Sequence, residues 1–169
     1  MAKKYLFTFP GQGSQTIGMG KEIYDNFSEA KEVFQAVDEA LKQNLSQLIF
    51  TGSEAELTQT ENAQPALMAT SIATLRVIEK QGNFDIKDIC AFVAGHSLGE
   101  YSALVAAQAI SVSDAAKIIR IRGNAMAKAG QTTSGAMAAI IGVDITQAQN
   151  IADECAENDI CQIANDNSP

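Results

Sequence analysis

Residues 92 to 104 read FVAGHSLGEYSAL, and Gly95-His96-Ser97-Leu98-Gly99 stands between an apolar run and a stretch of helix formers. A serine flanked by glycines in that setting has the form of a nucleophile elbow. The glycines permit a tight, strained turn that lifts the Ser97 hydroxyl out at the carboxyl end of a strand. The backbone N–H of Leu98 then points at the reacting group, aided by the helix dipole, and could stabilise an oxyanion. Gly-x-Ser-x-Gly also occurs as an ordinary turn, so the strand-turn-helix context is what favours the chemical reading. A serine nucleophile needs a base, and His96 is the single histidine of the chain. Side chains adjacent on an elbow diverge, which places His96 badly to take the Ser97 proton and makes it a structural residue.

FPGQGSQ, residues 9 to 15, gives a second clue. A glycine-rich loop after the first strand of an α/β sheet lies at the carboxyl edge, where ligands bind, and this one could bring a backbone N–H beside the elbow. It lacks both the Gly-x-Gly-x-x-Gly run into a helix and the Gly-Lys-Ser/Thr ending of a P-loop, so dinucleotide and nucleotide readings score poorly. An ordinary tight loop is the plain alternative.

These residues need elements to hold them. YLFTF, closed by Pro10-Gly11, reads as a buried strand, and ICAFVAG as a second. SEAKEVFQAVDEAL places Ala30, Val33, Phe34, Val37 and Leu41 on one helical face, with Ser28 as N-cap. QPALMATSIATLRVIEKQG has Pro65 near a helix start and Gly82 just past its end, and is apolar enough to be buried. A helix from about Leu98 follows the second strand, and another opens at Ser113 and runs to about Ala129. The alternation predicts an α/β sheet. From about residue 132 the character changes: AMAAIIGV, ITQAQNIADECAEN and ICQIAN read as strand, helix and strand, a βαβ unit that looks unfinished at Pro169.

Bulk properties narrow the partners. The chain has 169 residues, 46% of them hydrophobic, enough for one domain or one and part of another with a buried core. Twelve basic against twenty acidic residues give a formal charge of −8, which argues against nucleic acid or an anionic membrane face. Cys90, Cys155 and Cys161 lack metal-type pairing and read as reduced, buried thiols of a cytoplasmic protein. Lys3 and Lys4 precede too short an apolar run for a signal peptide or a membrane span. Nothing in the spacing asks for a metal or a cofactor.

FPGQGSQTIGMG at 9 to 20, GHSLGEYSAL at 95 to 104 and IRGNAM at 121 to 126 closely resemble, in order and spacing, the malonyl-CoA:acyl carrier protein transacylase family. QPAL at 64 to 67 and GAMAAIIG at 135 to 142 extend the resemblance over essentially the whole chain. It implies an α/β-hydrolase-like large subdomain, represented by residues 1–131, with an inserted ferredoxin-like small subdomain that begins in 132–169. It implies that Ser97 takes malonyl from malonyl-CoA as an ester and yields it to the phosphopantetheine thiol of acyl carrier protein, in fatty acid biosynthesis. The backbone N–H groups of Gln12 and Leu98 would form the oxyanion hole, Arg122 would hold the free malonyl carboxylate, and Met126 would line the pocket. By residue type alone, Arg122 near Lys117, Arg120 and Lys128 is a solvated helix face and Met126 is core.

The family's base is a histidine well downstream of the elbow, and no histidine follows His96 here. The chain therefore resembles the amino-terminal portion of such an enzyme, and the missing carboxyl-terminal portion becomes an expected partner. Two other readings stay open. A serine esterase or thioesterase shares the elbow but gives Arg122 no carboxylate to hold. A non-catalytic module that binds coenzyme A or a carrier protein fits the absent base but leaves the nucleophile apparatus unused.

Overall fold

The structure, a computed structural model, describes residues 4–133, 135–157 and 159–167; Lys3, Ser134, Asn158, Ser168 and Pro169, which fall within stretches discussed above, lie outside the described residues. Strand β1 (Tyr5–Phe9) pairs in parallel with β2 (Cys90–Gly95), with Leu6 opposite Phe92 and Phe9 opposite Gly95. Between them run α1 (Lys21–Asn26), α2 (Ser28–Leu41), α3 (Leu45–Thr51), α4 (Glu54–Thr58), α5 (Thr60–Gly82) and α6 (Ile86–Ile89). After β2 come α7 (Gly99–Ala106), α8 (Val112–Thr133) and α9 (Ile145–Ala156). The architecture is α/β, mostly helical with a small sheet.

The chain divides into two units, Met1–Thr133 and Ser134–Pro169. In the first, α5 is the central helix: it packs against α8, α2 and α7, and Met68, Ile72 and Ala73 are fully buried. The apolar stripe of α2 meets it through Ala30, Val33, Phe34 and Val37, while Leu41 is only half-buried. Phe34 belongs to an aromatic cluster with Tyr24 and Phe50, ring centroids 4.9 to 5.7 Å apart. Buried aliphatic residues at helical spacing, more than intrinsic propensity, account for these helices.

Several boundaries depart from the sequence reading. Ser28 is the first residue of α2, not its cap; Phe27 holds the extended capping position and the Ser28 hydroxyl turns to Glu29. Helix α5 starts at Thr60, so Pro65 lies inside it, and it ends on Gly82 with Asn83 as the left-handed cap. Helix α8 opens at Val112 because Ser111 Oγ accepts from Asp114 N at 3.0 Å, which makes Ser111 the cap in place of Ser113.

The strands are less buried than their composition suggests. Phe7 and Val93 pack on the core and Phe9 is buried, but Leu6 is 61% and Phe92 74% exposed, side by side on the opposite face. A parallel sheet is normally covered on both faces, and among the described residues no helix covers this one. The thiols also differ from expectation: Cys155 and Cys161 are exposed and Cys90 is half-buried.

Among the described residues of the second unit, only the helix of the expected βαβ forms. Helix α9 is fixed at its start by a capping box between Asp144 and Gln147. The segments 136–143 and 160–165 form no strand ladder, because a strand exists only through a hydrogen-bonded partner and neither finds one.

Candidate active site

The parallel pairing of β1 and β2 brings both carboxyl ends to one edge, so Pro10-Gly11-Gln12 lies beside the turn after Gly95. His96 N donates to Phe9 O at 3.1 Å, continuing the ladder one step past β2. The turn itself is steeply wound. Ser97 has φ +54°, a left-handed conformation unusual for any residue with a Cβ, and Leu98 follows as the cap of α7. Gly99 N bonds His96 O at 2.9 Å and Glu100 N bonds Ser97 O at 3.2 Å, closing the turn into the helix.

The two glycines are required by what surrounds them. A Cβ on Gly95 would fall onto the Gly99 carbonyl and the Glu100 nitrogen, and one on Gly99 would fall onto the Phe9 carbonyl and lie 2.7 Å from Pro10 O. These are backbone atoms, which cannot swing aside. Strand, turn and loop therefore approach closely only because both positions lack side chains.

Ser97 Oγ points outward and accepts from Arg122 Nη2 at 2.8 Å. Arg122 Nη1 donates to Gln64 Oε1 at 2.6 Å, and Gln64 Nε2 donates to Met126 Sδ at 3.4 Å. The expected residues Ser97, Arg122 and Met126 thus come together, joined by Gln64 of α5, which sequence reasoning did not single out beyond its place in the QPAL stretch. Gly123 makes the crossing possible: a Cβ there would lie 2.7 Å from Glu61 Cα, so α8 rests directly on the first turn of α5. Arg120, one of the residues expected on a solvated face, also turns inward and donates to Gln43 Oε1 at 2.5 Å. Burial lowers its pKa from the ordinary value, opposed by the nearby Glu61 carboxylate.

The His96 ring lies against Gly11, where a Cβ would come within 2.5 Å of Nδ1. Among the described residues no imidazole or carboxylate bonds the Ser97 hydroxyl. Gln12 stands exposed in the loop beyond Gly11, and Leu98, 1% exposed, has its N–H in the first turn of α7, where helix donors lack intrahelical acceptors. The arrangement sets a serine hydroxyl against a planar cation at the carboxyl edge of the sheet.

A family model described as an acyl transferase domain matches residues 6–168. The chain belongs to the acyl transferase domain family. It is 50% identical over 167 residues to the malonyl CoA-acyl carrier protein transacylase of Bacillus subtilis, covering 98% of this chain and 51% of that relative. Among solved structures it is similar to the acyl-carrier-protein-S-malonyltransferase of Bartonella henselae, with a TM-score of 0.84, 49% identity, and 99% of this chain covering 52% of that one. A malonyl-transacylase solved in complex with a type II PKS acyl-carrier protein matches with a TM-score of 0.79 at 34% identity, 92% of this chain covering 49% of it. The acyl transferase chain spans about half the length of the relatives it matches.

Proposed function

We propose that this chain carries the nucleophile half of a malonyl-CoA:acyl carrier protein transacylase of fatty acid biosynthesis. The observation that carries the reading is the Arg122 guanidinium held 2.8 Å from Ser97 Oγ. An acyl group bound as an ester at Ser97 would extend its far end toward that cation, and malonyl ends in a carboxylate that a planar fork can pair through both oxygens. An acyl group ending in a methyl would gain nothing there, and a general esterase would give Arg122 no task.

In the reaction, Ser97 Oγ attacks the thioester carbonyl of malonyl-CoA as its proton passes to a base. The backbone N–H groups of Leu98 and Gln12 receive the developing oxyanion, a kind of contact worth about 2.7–4 kcal/mol per donor in the transition state. The carbon–sulfur bond then breaks, coenzyme A leaves as its thiol with the proton, and malonyl stays on Ser97. The phosphopantetheine thiol of acyl carrier protein takes it in the reverse sequence. The base is a histidine supplied by the half of the enzyme that the relatives carry and this chain does not. Met126 lines the acyl pocket. Residues 1–131 are read as the first part of an α/β-hydrolase-like subdomain and 132–169 as the start of a ferredoxin-like one, whose strands await partners from that other half. The reaction belongs in the cytoplasm, and among the described residues no helix is long and apolar enough to cross a membrane.

The test is selectivity. In the protein completed with its carboxyl-terminal half, Arg122→Ala should slow malonyl transfer far more than acetyl transfer, by about 2–5 kcal/mol of discrimination for a charge pair losing one partner. Equal losses for both acyl groups would make Arg122 structural and overturn the reading.

A further inference from the structure

Gln64 is 1% exposed, and both ends of its amide are committed. Its oxygen accepts from Arg122 Nη1 at 2.6 Å and its nitrogen donates to Met126 Sδ at 3.4 Å. The amide can face only one way, because a guanidinium only donates and a thioether only accepts. Arg122 Nη2 then reaches Ser97 Oγ at 2.8 Å. A carboxylate in place of the Gln64 amide would orient the half-buried Arg122 equally well but cancel its charge.

We propose that Gln64 is a specificity-setting positioning residue: its neutral amide fixes the direction of the Arg122 guanidinium beside Ser97 without neutralising it, so that the cation stays available to an acyl group that ends in a carboxylate. This deepens the function proposed above and rests on Arg122 being the carboxylate clamp. Gln64 touches no reacting atom and acts through Arg122. A glutamate at 64 would keep the shape and the hydrogen bond to Arg122 while offering a resident anion that competes with the substrate's own. A methionine would keep the volume and the free cation but lose the oriented acceptor.

The experiment measures acylation of Ser97 from malonyl-CoA and from acetyl-CoA side by side, in the completed protein, for Gln64→Glu, Gln64→Met and Arg122→Ala. Gln64→Glu is expected to lower the malonyl-to-acetyl ratio of kcat/KM at least tenfold, chiefly through a raised KM for malonyl-CoA. Gln64→Met should lower it by a smaller factor, since the charge survives. A ratio unchanged in Gln64→Glu but lost in Arg122→Ala overturns the role of Gln64 and leaves the clamp standing. A ratio unchanged in Arg122→Ala overturns both. Should the glutamate variant not fold, Gln64→Met decides the matter, and a wild-type ratio there overturns the inference.

Discussion

Ser97 holds φ at +54°, where a Cβ crowds the backbone at a cost of about 1–2 kcal/mol. The strain persists because strand pairing on one side and the first turn of α7 on the other fix the chain through that point. Removing the Cβ should relieve it, less the roughly 0.5–1 kcal/mol that glycine loses through its freer unfolded state. Ser97→Gly is therefore expected to be more stable than Ser97→Ala by about 0.5–1 kcal/mol in urea unfolding, since both lack the hydroxyl and only alanine keeps the Cβ. Equal midpoints would contradict a strained elbow. The turn at Ser97 and Leu98 was legible in the sequence because its geometry is local to five residues. The contact of Arg122 with Ser97 was not legible from residue type, which by its neighbours reads as a solvated face; only the resemblance pointed to that position. Gln64 was legible only as part of the QPAL stretch, because its contact with Arg122 spans 58 residues and depends on how two helices cross.

Helices α5 and α8 set that crossing, and one glycine governs it. The Cβ that alanine would add at Gly123 lies 2.7 Å from Glu61 Cα, so the helices must separate to admit it. Gly123→Ala is expected to cost about 1–3 kcal/mol of stability and to weaken the malonyl preference of the completed protein, by drawing Arg122 away from Gln64 and Ser97. A variant with wild-type thermal stability and selectivity would show that the close approach is not needed. Helix existence could be read from the spacing of Ala30, Val33, Phe34 and Val37, since that pattern survives any detail of packing. Helix ends could not: Pro65 sits inside α5 because Gln59-Thr60 begins the helix earlier, a choice made by the neighbouring turn after α4. Strands at 136–143 and 160–165 failed for a different reason, as their apolar composition cannot supply the partner a ladder needs.

At the scale of the whole molecule, one face of the sheet displays Leu6 and Phe92 where a parallel sheet normally meets a second layer. The chain covers 51% of the Bacillus subtilis relative and 52% of the Bartonella henselae structure, so the remaining half of such an enzyme has both the length to cover that face and, on the function proposed here, the histidine that Ser97 lacks. On the function proposed here, acylation without that histidine should be orders of magnitude slower, because backbone donors and binding alone remain. The most direct measurement is intact mass of the chain after exposure to malonyl-CoA, alone and with the carboxyl-terminal half, with the modified peptide mapped. The account predicts one malonyl group on Ser97 in the completed protein, none in Ser97→Ala, and very slow labelling of residues 1–169 alone. A malonyl adduct on another residue with Ser97 unmodified, or labelling of Ser97 at the same rate without the other half, would contradict it.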